Sequence, residues 1–394
     1  MMMLSLAYLI LFGMLGHILF KAIKLPGLIG MLLVGIVIGP QGFDLLSESL
    51  LAISGDLRKI ALIIILLRAG LGLNRRAIQR VGKVAGTMSV IPVVFEGLMI
   101  LFLAMWLLEF SFIQGGMLGF VIAAVSPAVI VPAMLKLIRD KVSTRSHIPT
   151  LVLASASIDD VIAITLFSMF LSAAVTASNL AVLSVLSLPL SILLGILIGF
   201  VIGLGLVWLF TKFRIRDTKK ILILLAVSIL FVSFTEQIEE YIYIASLLGV
   251  MTLGLVIVER RKVVAERLAI KFDKVWVLAE LFLFVLVGAA VDVTVALDAG
   301  VIGLILIFSG LIARSFGVFI ATLRTNFTWR EKSFLFIAFI PKATVQAAMG
   351  SIPLTLGVPG GEIILAISVL AILVTAPLGA SLIQLTEKRL LQQE

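Results

Sequence analysis

Apolar residues fall in long, nearly unbroken blocks, and polar residues gather in short stretches between them. A bilayer-crossing helix needs roughly 17–25 apolar residues. Thirteen blocks read as such spans: 4–22, 27–41, 57–73, 84–107, 115–137, 148–173, 187–211, 220–236, 241–258, 274–292, 298–322, 332–355 and 362–386. The second is short for a full crossing. The pattern predicts an all-α polytopic membrane protein.

The polar stretches alternate in sign. One set is basic: Lys21 and Lys24; Arg75, Arg76, Arg80 and Lys83; Lys136 to Arg145; Lys212 to Lys220; Arg260 to Lys271; Arg324 to Lys332; Lys388 and Arg389. The intervening set is acidic or neutral, with Asp44, Glu48, Asp56, Glu109, Glu236, Glu239, Glu240, Asp292, Asp298 and Glu362. Lys/Arg excess marks the cytoplasmic side of a membrane. The N-terminus is therefore expected outside and the C-terminus inside. Arg58 and Lys59, at the outer end of span 3, break the rule. The first block lacks a basic lead-in and a small-residue cleavage site, so it reads as a retained span.

Composition agrees. The 394 residues are 61% hydrophobic and 13% charged, against about 25% charged in soluble domains. The net charge of +9 sits in the alternating loops and marks topology, not nucleic-acid binding. There is no cysteine, which excludes disulfides and thiolate chemistry. No phosphate loop, zinc-ligand cluster or catalytic triad occurs, so a transporter is expected and not an enzyme. No cofactor is expected.

Seven ionisable residues fall inside the spans: Arg68, Glu96, Asp159, Asp160, Glu280, Arg314 and Lys342. Charges at membrane depth must pair or face water, and they mark function. The adjacent Asp159 and Asp160 stand out. Successive helix positions are roughly 100° apart, so the two carboxylates face different ways. One lines an ion path while the other leans toward a partner. Glu96 and Arg314 are the expected ion pair between spans 4 and 11. Arg68 reads as a residue that snorkels toward the interface.

Two spans look broken. Span 5 carries Pro127 and Pro132, and span 12 carries Pro341 and Pro353. Proline removes a donor and clashes with the carbonyl one turn back. Ser126, Thr344 and Gln346 lie close by, and extended segments between the paired prolines are expected to line a cavity. The plain alternative is two kinked helices. Lys342, next to Pro341, is placed to neutralise carbonyl ends. Span 12 stands seven spans after span 5. Residues 1–173 (spans 1–6) and 220–386 (spans 8–13) then form inverted repeats, with span 7 (187–211) as linker. Interrupted spans at matching places point to a transporter's binding site.

Four stretches carry a family likeness: Val125-Ser-Pro-Ala-Val-Ile-Val-Pro132, Ser157-Ile-Asp-Asp-Val161, Phe339-Ile-Pro-Lys-Ala-Thr-Val-Gln-Ala-Ala348, and Arg314 in the preceding span. Leu67-Arg-Ala-Gly-Leu71 and Leu283-Phe-Val-Leu-Val-Gly-Ala-Ala-Val-Asp292 add to it. The chain resembles the cation/proton antiporter superfamily, in its NhaA/NapA-type branch and the NHA subgroup of SLC9B-like exchangers. The resemblance implies an NhaA-like fold with two crossing broken helices. It implies a core of spans 3–6 and 10–13, a dimerisation part of spans 1–2 and 8–9, a homodimer, and an elevator-like motion. It further implies exchange of Na⁺ or Li⁺ for H⁺ in pH homeostasis, in the bacterial inner membrane, with Asp160 binding the ion and Asp159 assisting. Many electrogenic relatives carry lysine where this chain has Arg314. The arginine resembles the Glu–Arg pairing of the NHA subgroup and of electroneutral exchangers.

The chemistry follows. A hard monovalent cation takes oxygen ligands. Asp159, Asp160, the hydroxyl of Ser126 or Thr344, freed carbonyls and water supply them. Two adjacent carboxylates titrate jointly, and Na⁺ and H⁺ compete for them. If the site crosses only when occupied, competition alone yields antiport. Three rivals remain open: a K⁺/H⁺ or mixed-cation antiporter, a Na⁺-coupled organic-solute symporter, and a membrane sensor or scaffold. The last normally carries a soluble output domain, and the symporter has less need of adjacent carboxylates.

Overall fold

The computed structural model describes residues 2–23, 25–72, 75–139, 147–175, 181–238, 244 and 246–391. Among these there is helix and no strand. In chain order the helices are α1 (Met2–Ala22), α2 (Gly27–Ile38), α3 (Glu48–Ala52), α4 (Ser54–Gly72), α5 (Arg75–Leu107), α6 (Phe112–Ala123), α7 (Pro127–Arg139), α8 (Ile148–Val175) and α9 (Ala181–Lys212). There follow α10 (Asp217–Gln237), α11 (Ser246–Arg260), α12 (Lys262–Ala289), α13 (Val293–Asp298), α14 (Gly300–Ala321), α15 (Trp329–Ala338), α16 (Thr344–Met349), α17 (Ile352–Thr355) and α18 (Gly361–Leu391).

Among the described residues, seven helical stretches are long and apolar enough to cross a membrane. The other apolar blocks carry shorter, broken or more charged helices. α12 starts at Lys262, not at 274, because Lys, Arg and Glu are good helix formers outside a membrane as well and their charges masked the helix. α5 starts at Arg75 and kinks at Gly82, whose φ of 55° suits glycine.

The breaks are real but narrower than the proline pairs suggested. α6 stops at Ala123, and Ala124 is extended with ψ 141°. Helix resumes at Pro127 and continues through Pro132. Proline is well placed as the first residue of a helix, where its missing N–H has no partner to lose. In the second broken span the non-helical stretch is 339–343, and Pro353 lies within α17. The non-helical segments are thus 124–126 and 339–343, and the residues between the prolines are largely helical. α6 and α15 each open on a capping box. Ser111 pairs reciprocally with Gln114, and Thr328 with Glu331, which satisfies donors at each helix start.

The chain divides into two compact units. The first comprises Met1–Ala52, Asn74–Leu171 and Phe284–Glu394; the second comprises Ile53–Leu73 and Ser172–Leu283. Span 3, as α4, lies in the second unit, and α1 and α2 lie in the first.

In the first unit, missing side chains let helices meet backbone to backbone. A Cβ on Gly317 of α14 would stand 2.6 Å from Pro92 Cα of α5, and one on Gly119 of α6 would stand 2.3 Å from the Gly97 carbonyl. This brings Glu96 level with Arg314. α18 supports the second break. A Cβ on its Gly379 would lie 2.4 Å from Pro341 Cγ, and its Thr375 Oγ1 accepts from Lys342 N at 2.9 Å. Lys136 of α7 reaches Glu387 of α18 at 2.9 Å.

In the second unit, α4 and α9 pack on α11 by the same device. A Cβ on Gly70 would lie 2.4 Å from Met251 O, and one on Gly199 would lie 2.2 Å from Gly249 O. The exceptions to the charge rule are accommodated here. Lys59 pairs with Glu236 at 2.8 Å. Arg58 is buried and donates to its own helix at Ser54 O, 3.2 Å away. Arg68 pairs with Asp273 at 2.6 Å and lies over the Trp276 ring, so it has a partner where snorkelling was expected.

Candidate functional site

The site lies wholly in the first unit, where both breaks meet α5, α8 and α14. The Ser126 N–H donates to Pro341 O at 2.9 Å, joining break to break. Glu96 (α5), Asp159 (α8), Arg314 (α14) and Lys342 (second break) are each 0% exposed, and Asp160 is 6% exposed.

Arg314 is the hub. Its Nε donates to Glu96 Oε2 and its Nη2 to Ala123 O, the last carbonyl of α6. Nη1 donates to Asp159 Oδ1 at 3.1 Å, and Nη2 lies 3.1 and 3.2 Å from the two Asp159 oxygens. The Phe339 ring lies 5.5 Å from the guanidinium. Lys342 Nζ donates to the same Glu96 Oε2 at 2.8 Å and to Ala123 O at 3.1 Å. Gln346 Nε2 reaches the carbonyls of Val121 (2.9 Å), Ile122 (3.2 Å) and Ala124 (2.7 Å). Three acceptors around one end fix which amide atom is nitrogen. The carbonyl end of α6 is thus covered by two cations and one amide, the groups its dipole favours.

The sequence-derived candidates are largely brought together. Glu96 meets Arg314, and Lys342 meets a carbonyl end. Two contacts were not foreseen: Asp159 to Arg314, and Glu96 to Lys342. Thr375, the Ala123 carbonyl and the Phe339 ring were missed; a lone threonine in an apolar helix gives no signal. Pro127 ends the first break, Pro132 lies inside α7, and Pro341 lies within the second break.

Asp159 and Asp160 do diverge, as their helical offset requires. Asp159 turns to Arg314. Asp160 accepts from the backbone N–H of Val125 in the first break. Its Oδ1 makes no hydrogen bond among the described residues, and neither do Ser126 Oγ, Thr344 Oγ1, Glu96 Oε1 and Gln346 Oε1. Buried polar atoms are normally bonded, and exceptions call for an explanation. Asp160, Ser126 and Thr344 all belong to the two breaks or to the aspartate pair beside them. Chemically they offer a carboxylate and two hydroxyl oxygens, a hard donor set suited to a small cation or a proton.

The family model for the transmembrane region of sodium/hydrogen exchangers matches residues 7–388. The chain is 33% identical to sodium/hydrogen exchanger 9B2 of Homo sapiens over 389 residues, covering 94% of this chain and 70% of that protein. It is 35% identical to sodium/hydrogen exchanger 9B1 of Mus musculus over 384 residues, covering 94% and 66%. Its fold is similar to that of the sodium proton antiporter MjNhaP1 from Methanocaldococcus jannaschii, with TM-score 0.81, 20% identity and 99% of each chain covered.

Proposed function

The chain belongs to the sodium/hydrogen exchanger family, a family of integral membrane cation/proton antiporters, and from that premise we propose that it exchanges Na⁺ or Li⁺ for H⁺ at Asp160. The observation that carries the reading is the contrast within the aspartate pair. Asp159 is saturated by Arg314, while Asp160 keeps a buried oxygen without a partner. Asp160 Oδ1, Ser126 Oγ, Thr344 Oγ1 and freed carbonyls are the cation's ligands. Asp159 assists by holding Arg314 in place rather than by binding the ion.

Charge balance favours one cation for one proton. The buried cluster holds three carboxylates (Glu96, Asp159, Asp160) and two cations (Arg314, Lys342). With all five ionised it carries one net negative charge. One Na⁺ or one proton at Asp160 brings it to zero, the cheapest state to carry through a low-dielectric core. Arg314 stays protonated throughout, and Lys342 is held by Glu96.

The rest of the reading is architectural. Thirteen spans form two inverted repeats about span 7, and the matching capping boxes of α6 and α15 support that symmetry. The alternating loop charges support an outside N-terminus and a cytoplasmic C-terminus. A homodimer with an elevator-like core follows from the family likeness. Transport in proteoliposomes under clamped voltage tests the function. Na⁺ and Li⁺ should each drive proton movement, and K⁺ should drive much less. Equal or greater K⁺ exchange would transfer the reading to a K⁺/H⁺ antiporter.

A further inference from the structure

Where the start of α5 meets the end of α14, the first unit gathers cations that no acid neutralises. Thr87 Oγ1 of α5 lies 3.3 Å from Lys83 O and 3.4 Å from Ala321 O of α14. Farther along, Pro92 meets Gly317. The two helices therefore run antiparallel, and Lys83 carries the line on to the level of Arg324, just past the end of α14. The following turn leads into α15, which brings Arg330 and Lys332. Lys83, Arg324 and Arg330 are exposed, and Lys332 is half-buried. Among the described residues none of the four pairs with a carboxylate. Glu331 is the one acidic residue in 322–333. Its Oε2 is taken up by the Thr328 N–H at 2.8 Å and the Thr328 hydroxyl at 3.1 Å.

Two further features narrow the partner. The Trp329 ring stacks on Phe319, with centroids 5.8 Å apart and planes 12° apart. Lys332 Nζ lies 5.8 Å from the Phe319 ring and 5.5 Å from the Trp329 ring, and cation–π attraction holds the ammonium there. Trp329 is 72% exposed, and an amphipathic ring of this kind belongs at the headgroup level of a bilayer. An apolar stripe leads away from it. Phe308, Ile312 and Phe316 follow one another at four-residue spacing on α14 and are all exposed, and Phe95 of α5 packs on Phe316 at 5.7 Å. A free phosphate would use the cations and leave the stripe bare. A phospholipid uses both.

We infer that Lys83, Arg324, Arg330 and Lys332, with the Phe319–Trp329 pair, bind the headgroup of an anionic phospholipid whose chain lies along α14. The arginine fork matches phosphate oxygens bidentately, and cations beside a membrane helix attract anionic lipid. The headgroup bridges α5, α14 and α15. Glu96 stands on the first and Arg314 on the second, and the third runs into the break that holds Lys342. One lipid thus ties together the ends of the three elements that carry most of the buried charges. The inference does not depend on which ion is exchanged.

Trp329 is the reporter. Trp106→Phe, Trp208→Phe and Trp276→Phe leave it as the single tryptophan. The protein is reconstituted in phosphatidylcholine with equal fractions of either phosphatidylglycerol or phosphatidylcholine brominated close to the headgroup. Brominated phosphatidylglycerol should quench Trp329 with an apparent affinity on the order of tenfold above that of brominated phosphatidylcholine. Lys83→Gln, Arg324→Gln and Arg330→Gln together should remove the preference, while the melting temperature and the quenching by phosphatidylcholine stay as they were. Arg214→Gln, Arg216→Gln and Lys219→Gln, exposed positions of the second unit, should leave the preference unchanged. Equal quenching by the two lipids overturns the inference. So does a preference that survives the first triple change, or one that falls equally with the second. Displacement of the lipid by inorganic phosphate would also overturn it, since the cations alone would then make the site.

Discussion

Arg314 holds Asp159 through both terminal guanidinium nitrogens, at 3.1–3.2 Å. One carboxylate of the adjacent pair is thereby committed to structure, and its neighbour is left for chemistry. The division predicts different outcomes for the two conservative changes. Asp160→Asn should abolish Na⁺-driven proton movement in liposomes while the purified protein keeps its melting temperature. Asp159→Asn should lower the melting temperature and weaken Na⁺ affinity, with residual exchange. Normal exchange by Asp160→Asn would remove it as the carrier.

Glu96 and Arg314 should be energetically coupled. Removing one partner of a buried pair costs roughly 3–5 kcal/mol, much of it from the charge left behind. Arg314→Gln strands Asp159 and leaves three buried carboxylates against the single cation Lys342, so it should lower the melting temperature more than Glu96→Ala, which leaves two carboxylates with two cations. The double variant should lose less than the sum of the singles. Strictly additive losses in a denaturation series would show that the pair does not interact.

Gln346 caps three carbonyls with a neutral amide. Gln346→Ala leaves those acceptors bare, at a cost of about 1–3 kcal/mol. Gln346→Glu sets a carboxylate against the same oxygens and should be worse, either by a larger fall in melting temperature or by failure to accumulate. A Gln346→Glu protein as stable as the parent would contradict the capping role.

Electroneutrality is measurable on solid-supported membranes. A cluster one charge short of neutral should carry one Na⁺ or one proton and give no sustained Na⁺-induced current. A robust current, or a rate that follows an imposed voltage, would mean that Lys342 releases a second proton.

The legible parts of the site were those with charge in apolar surroundings. Asp159, Asp160, Glu96, Arg314 and Lys342 announce themselves because charge at membrane depth is rare. Their partners were less legible. The Arg314–Asp159 contact joins α14 to α8, and neither stretch of sequence announces it. Backbone groups such as the Ala123 carbonyl and the Val125 N–H carry no sequence signature. The breaks were placed near the right prolines. Their extent was misread because proline both starts and interrupts helices. The N-terminal half of α12 was lost for the opposite reason, since its charges ended the apolar block without ending the helix.

The central claim is that one carboxylate serves Na⁺ and H⁺ by turns. The apparent Na⁺ KM, measured in proteoliposomes across a series of pH values, tests it directly. Competition predicts that KM rises about tenfold for each pH unit below the titration of Asp160, while the maximal rate at saturating Na⁺ stays constant. A KM independent of pH, with a maximal rate that falls on acidification, would place the proton at another group and contradict the account.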